Sequence, residues 1–346
     1  MSSPDIDIII CAYQTGERIR ATIDAILAQT YENFRLLIID DASGDDTVDI
    51  IREYEDQRVQ LVENEVNMGV VASRNKGLAL AEADFIATCD HDDHWKPEKL
   101  ALQIAYMQAH EECGLVGCFW DRYKNEQYDS TASISYHSSA YIGWYLYYRN
   151  CLLHSGLLFR RSVVEACDIE YSSDVTFGDD WKLCLDFANA GEVGVVPESL
   201  VKYTLHGDNW SIKAREEMHA SGASVLKNAI EKLLGQEISV ATARLYFDAV
   251  VIGVPQEDMS KLIEAGEMLA TITARYIERN TVSLPDAENI YRSASEIWWQ
   301  MVRLSASVKG PKQLQLFDRI SAFGKYKPGL GAYITAWGKA AIKSRM

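Results

Sequence analysis

The sequence predicts an α/β fold, a mostly parallel sheet flanked by helices, with a helical appendage at the C-terminal end. Three observations predict it. Short apolar runs alternate with stretches of helical periodicity through residues 6–110. Each run ends in a polar or acidic turn. Beyond residue 212 strand alternation stops and helical spacing alone continues. Strands separated by helices imply parallel pairing with helices on both faces.

The first strand covers residues 6–12, with Ile6, Ile8, Ile9 and Ile10, and runs into Tyr13. Residues 18–29 carry Ile19, Ile23, Ile26 and Leu27 on one helical side. A second strand, residues 34–39, ends in Asp40 and Asp41. Residues 47–54 are helical, with Val48, Ile51 and Tyr54 aligned. A third strand at 59–62, a helix at 70–81 and a strand at 85–88 follow.

Asp90, His91, Asp92, Asp93 and His94 come next, where that strand should end. Carboxylates that close repel one another unless a cation is expected. A divalent ion on Asp oxygen, completed by phosphates, suits them. The same residues also suit an acidic turn before a helix opened by Pro97. In parallel sheets ligands bind beyond the carboxyl ends of the strands. Tyr13, Asp41 and the acidic cluster all lie there. No Gly-x-Gly-x-x-Gly follows the first strand, and no Gly-x-x-x-x-Gly-Lys-Ser/Thr occurs. Asp41 can accept a proton from a base edge or a sugar hydroxyl, and equally can cap a helix. Tyr13 can stack on a base or pack within its loop.

Five segments, residues 8–13, 27–34, 39–43, 67–77 and 90–93, stand in an order and spacing that resemble one family. They include Tyr13, Asp40, Asp41, Gly69, Arg74, Asn75, Gly77, Asp90 and Asp92. Residues 6–110 resemble the nucleotide-binding half of family 2 glycosyltransferases, which have the GT-A fold, a Rossmann-like sheet. The resemblance implies a nucleotide-diphosphate sugar donor, most simply a UDP-sugar. By it, Ala12 and Tyr13 line the uracil pocket, Asp41 bonds the base, Asp90 faces the ribose and Arg74 lies near the nucleotide. Asp92 would hold Mn²⁺ or Mg²⁺ against the diphosphate. Cys11 and Ala12 depart from the Pro-Thr pair frequent in the family.

Phe177 to Leu185 resembles the family's Glu-Asp-Trp element, with Asp179 in place of Glu. Asp180 then takes the general-base position. A sugar hydroxyl is a poor nucleophile, and a carboxylate within reach can take its proton. On the residues alone, both carboxylates also fit a helix N-terminus. Trp181 either walls the acceptor site or packs. Lys202 to Ser211 resembles a later His-bearing loop, which makes His206 a second candidate contact to the metal or diphosphate. The implied reaction is inverting transfer to a hydroxyl of a glycan or lipid-linked acceptor. Two rivals from other classes are a catalytically silent sugar-nucleotide-binding scaffold and a nucleotidyltransferase. The second would need a basic triphosphate-gripping loop near the first strand, where only Arg18 stands.

The 346 residues suit two domain-sized units. Residues 1–211 are expected to form the catalytic domain, with halves at 1–110 and 111–211, and residues 212–346 a helical region. A net charge of −16 argues against a nucleic-acid partner. Seven cysteines without a Cys-x-x-Cys pair fit reduced thiols. No leader and no membrane-length apolar run is read, so a cytoplasmic enzyme is expected. Residues 119–155 are rich in Tyr and Trp, and packing is the expected role of most of them. For the helical region, oligomerisation, acceptor binding and membrane docking are all open. From residue 309 onward eight basic residues face one acidic residue, a charge of +7, which leaves −23 for the remaining chain. Leu330, Tyr333, Ile334, Trp337 and Ala341 recur at helical spacing, with Lys339 and Lys343 opposite. Such a helix suits either peripheral contact with an anionic membrane or docking on the protein's own acidic surface.

Overall fold

The computed structural model describes residues 4–124, 127–205 and 215–343. Strands β1 (Ile6–Ala12), β2 (Phe34–Asp40), β3 (Val59–Glu63) and β4 (Phe85–Asp90) alternate with helices α1 (Arg18–Leu27), α2 (Thr47–Arg52) and α3 (Val70–Leu80). Then come β5 (His94–Trp95), α4 (Lys99–Ala109), β6 (Cys113–Lys124), β7 (Gln127–Ala132), α5 (Ser139–Tyr145), a 3₁₀ turn at His154–Gly156 and β8 (Leu158–Arg160). Helices α6 (Arg161–Cys167) and α7 (Asp179–Ala190) and the long strand β9 (Glu192–Leu205) follow. The sheet order is β3-β2-β1-β4-β8-β6-β9-β5, with β7 beside β6. β1 to β4 are parallel, as the alternation predicts, and β8 enters antiparallel between β4 and β6.

Register explains why carboxylates gather at one end of this sheet. Ala12 pairs with Asp40 on one side of β1, and Cys11 pairs with Asp90 on the other. Both acids therefore stand at the carboxyl edge. Beneath them, Ile6, Ile8 and Ile10 pack with Ile19, Ile23 and Ile26 of α1 in one buried cluster. Gly77 lets α3 lie close on β1: a Cβ there would come within 2.6 Å of Ile9 Cγ2. Asp7 is a buried charge in β1. It is matched by Arg35 at 2.7 and 2.9 Å and by the amides of Glu82 and Ala83. Removing either charged partner would leave the other uncompensated.

The chain divides into two compact units, residues 1–139 with 150–214, and residues 140–149 with 215–346. The second contains α8 (Arg215–Leu234), α9 (Val240–Tyr246), a π turn at Phe247–Ile252, α10 (Met259–Arg279) and α11 (Leu284–Lys309). Two 3₁₀ segments (Pro311–Arg319, Ser321–Tyr326) and α12 (Leu330–Lys343) complete it. A sequence boundary at 211/212 leaves residues 140–149 with the sheet. In the structure their aromatic side chains are core of the helical unit. Tyr141 Oη meets Ser293 Oγ at 2.9 Å, Trp144 Nε1 donates to Thr273 Oγ1 at 3.2 Å, and Tyr246 Oη donates to the Tyr147 carbonyl at 3.0 Å. Packing is therefore what most of the aromatic-rich segment does. No helix among the described residues is long and apolar enough to cross a membrane.

Candidate active site

The carboxyl edge of β1 and β4 carries a buried polar cluster centred on Arg74. This residue projects from α3, in the turn before Gly77. Its Nη2 donates to Asp90 Oδ1 at 2.9 Å, and its Nη1 donates to Asp179 Oδ2 at 2.5 Å. Asp90 ends β4, and Asp179 opens α7. One guanidinium thus ties β4 to α7, the helix bearing the candidate base. A planar fork can satisfy two carboxylates at once, which an ammonium cannot do with the same geometry.

Asp90 has a second partner. His154, in the 3₁₀ turn, sets Nδ1 3.0 Å from Asp90 Oδ1 and Nε2 3.0 Å from Tyr171 Oη. Burial opposes ionisation of Asp90, but His154 and then Arg74 overcome it and hold the carboxyl well below its usual range. Ser155, the next residue, receives the Asp90 backbone N–H at 3.0 Å on Oγ. The Ser155 hydroxyl donates in turn to Asp93 Oδ2, and its carbonyl accepts Trp95 Nε1 at 2.7 Å. Ser155 thereby fixes both ends of the acidic turn. Burial raises the Asp93 carboxyl well above its ordinary value, and the charges of Asp90 and Asp92 add to that. Asp93 is buried, whereas Asp92 is partly exposed on the same turn.

Asp180 follows Asp179 at the start of α7 and is half-buried. Asn150 Nδ2 donates to its Oδ2 at 3.1 Å. Burial pushes the Asp180 carboxyl up and the Asp179 charge adds to the rise, while His154 and Arg74 oppose it. A carboxylate held up in pKa is a stronger proton acceptor than an ordinary one. Trp181, next on α7, is buried.

The remaining expected residues are distributed around this cluster. Tyr13, 45% exposed, stands just beyond β1. Ala12 is buried, and its carbonyl accepts the Asp41 amide at 2.8 Å. Asp41 is engaged by its own chain. Asn64 Nδ2 and the amides of Met68 and Gly69 each donate to it at 2.8 Å. Burial raises its carboxyl, but these donors more than reverse the effect and leave it lowered. Asp41 therefore anchors the loop that leads into α3. His206 lies outside the described residues.

Among the described residues no three His, Cys, Asp or Glu side chains form a ready metal cage. A small hard divalent ion needs none: it binds one or two carboxylates and takes substrate phosphates and waters for the rest. Asp92, on the open side of the turn beside Asp90, fits that donor set. Sequence reasoning missed His154, Ser155, Asn150 and Tyr171. His154 lies at the end of the aromatic-rich stretch, directly before Ser155, and no spacing there marks it.

Residues 7–167 match Glycosyl transferase family 2. A UDP-Glc:alpha-D-GlcNAc-diphosphoundecaprenol beta-1,3-glucosyltransferase of Escherichia coli is 39% identical over 104 residues, 30% of this chain and 41% of that protein. That match spans less than half of the relative. Two solved structures share the fold across nearly the whole chain. The S. aureus TarS 1–349 complex with UDP-GlcNAc has a TM-score of 0.57 at 16% identity, covering 93% of this chain and 89% of that one. The Pyrobaculum calidifontis mannosyltransferase PcManGT, in complex with GDP-Man and Mn²⁺, has a TM-score of 0.54 at 17% identity, covering 100% and 88%.

Proposed function

Because this chain belongs to glycosyltransferase family 2 and has the GT-A fold, we propose that it transfers a sugar, with inversion, from a UDP-sugar to an acceptor hydroxyl. The acceptor is a glycan or a lipid-linked saccharide. The observation that carries this reading is the Asp90–Arg74–Asp179 bridge, which leaves Asp180 beside the nucleotide-side cluster.

Asp180 removes the acceptor proton as the hydroxyl oxygen attacks the anomeric carbon. The bond from that carbon to the diphosphate oxygen breaks on the opposite face, and its electron pair leaves with the nucleoside diphosphate. The reacting sugar passes through oxocarbenium character. Asn150 Nδ2 and the Trp181 amide hold the Asp180 carboxylate in place for the acceptor. Arg74 and His154 keep Asp90 ionised and oriented toward the ribose. Tyr13 offers its exposed ring to the base. Asp92, with His206, would hold Mn²⁺ or Mg²⁺, which when bound neutralises charge on the departing diphosphate.

The test is nucleoside diphosphate release across a panel of nucleotide sugars, for wild type and Asp180→Asn. Release by wild type alone supports the proposal. UDP binding without release from any donor, with acceptor saccharides present, turns the reading to a silent binding protein.

A further inference from the structure

We propose that α12 is a docking surface for an anionic lipid bilayer. The structure separates the helix into two apolar stripes. Tyr333, Ala336 and Ala340 face inward: Ala340 is buried, and Tyr333 packs tilted against Trp299 with ring centroids 4.6 Å apart. Leu330, Ile334 and Trp337, at i, i+4 and i+7, form the second stripe. They remain 77%, 62% and 57% exposed. Docking on the protein's own surface therefore buries the first stripe and leaves most of the second uncovered. Three large apolar side chains at consecutive turns are left facing solvent.

Charge identifies what covers them. The segment from residue 309 carries +7 in a chain of −16. Some of this is spent internally, since Lys309 pairs with Glu257, Lys325 with Glu288 and Lys327 with Asp318. Lys312, Arg319 and Lys339 are exposed and have no ion pair among the described residues. Lys312 lines a groove of about 490 Å³ together with Leu314, Tyr333, Ile334 and Trp337. Cation and apolar stripe thus share one face. An apolar stripe with an interfacial aromatic, edged by lysine, matches the boundary between anionic headgroups and acyl chains. Basic side chains at such a surface attract its phosphates over about one Debye length. A second acidic copy of this chain would also find the cations. Two facing +7 segments would repel, however, so a symmetric dimer through this face is disfavoured.

This inference is independent of the transfer reaction, since it concerns binding alone. The test is co-sedimentation of the full chain with vesicles of phosphatidylcholine, with and without phosphatidylglycerol. The wild type should pellet with the anionic vesicles at low salt and be released at high salt. Leu330→Ser/Ile334→Ser/Trp337→Ser should lose at least about tenfold in partitioning, as expected for exposed apolar groups that insert. Lys312→Glu should lose about tenfold for anionic vesicles alone. All four positions are exposed, so far-UV circular dichroism and the thermal midpoint should not change. Three results would overturn the proposal: wild type that stays in the supernatant at low salt, equal binding to neutral vesicles, or a dimer in sedimentation velocity that the triple variant abolishes.

Discussion

Arg74 and Asp179 are 105 residues apart in sequence and meet at 2.5 Å. The same guanidinium reaches Asp90 on its other nitrogen. Strand β4 and helix α7 are therefore registered by a single side chain. Arg74→Lys should keep the charge but lose the fork, and transfer should fall by about 10²-fold, the scale of a misplaced catalytic group. Arg74→Ala should do more, because the buried Asp179 would lose its ion-pair partner while Asp90 would keep only His154, at about 3–5 kcal/mol. Steady-state kinetics of Arg74→Lys and thermal unfolding of Arg74→Ala check the two effects. Wild-type rates in Arg74→Lys would contradict the bridge.

Asp180→Asn keeps size and the contact to Asn150 but cannot accept a proton. UDP affinity should be near wild type, and the transfer rate lower by about 10²-fold or more. Calorimetric UDP binding together with a turnover assay separates the two. A variant that keeps over half the wild-type rate is incompatible with Asp180 as base.

The acid limb of the pH–rate profile should report Asp180. Its carboxyl is held above the ordinary range by burial and by Asp179. The base works only when ionised, so activity should rise with pH through a midpoint above that of a free Asp, about 4. Asp179→Asn removes a neighbouring negative charge, so the midpoint should move to lower pH. A limb that stays fixed or moves upward would assign it to another group.

Turnover should need a divalent ion, because no phosphate-gripping loop follows β1. EDTA should abolish release of nucleoside diphosphate and Mn²⁺ should restore it. Asp92→Ala should weaken metal-dependent UDP binding in a direct titration, and His206→Ala should weaken it less. Full activity in chelator would rule out the metal-held diphosphate.

The parallel half of the sheet was legible because β1, β2 and β4 are buried on both faces and their apolar runs are nearly unbroken. Acid placement was legible too, since the carboxyl ends of parallel strands share one edge. His154 was not, because a lone histidine carries no period and its meaning comes from Asp90 and Tyr171, distant in sequence. The bonds of Asp41 to Asn64, Met68 and Gly69 were not legible either, because they depend on a loop conformation that local pattern does not encode. Residues 140–149 show the same limit. Tyr141, Trp144 and Tyr147 lie between two sheet segments, and only tertiary packing assigns them to the helical unit. Residues 247–252 continue a helical pattern, but widen to a π turn before Gly253.

The contact under Gly77 has a further consequence. It fixes the distance between α3 and the sheet with no play, because bare backbone rests against Ile9. Arg74 rides on that helix, less than one turn away. A single methyl at residue 77 would act as a shim, lifting the helix and with it the guanidinium from between its two carboxylates. The setting of Arg74 between its carboxylates is thus gauged partly from below, at a position packed on the sheet rather than beside the carboxylates themselves.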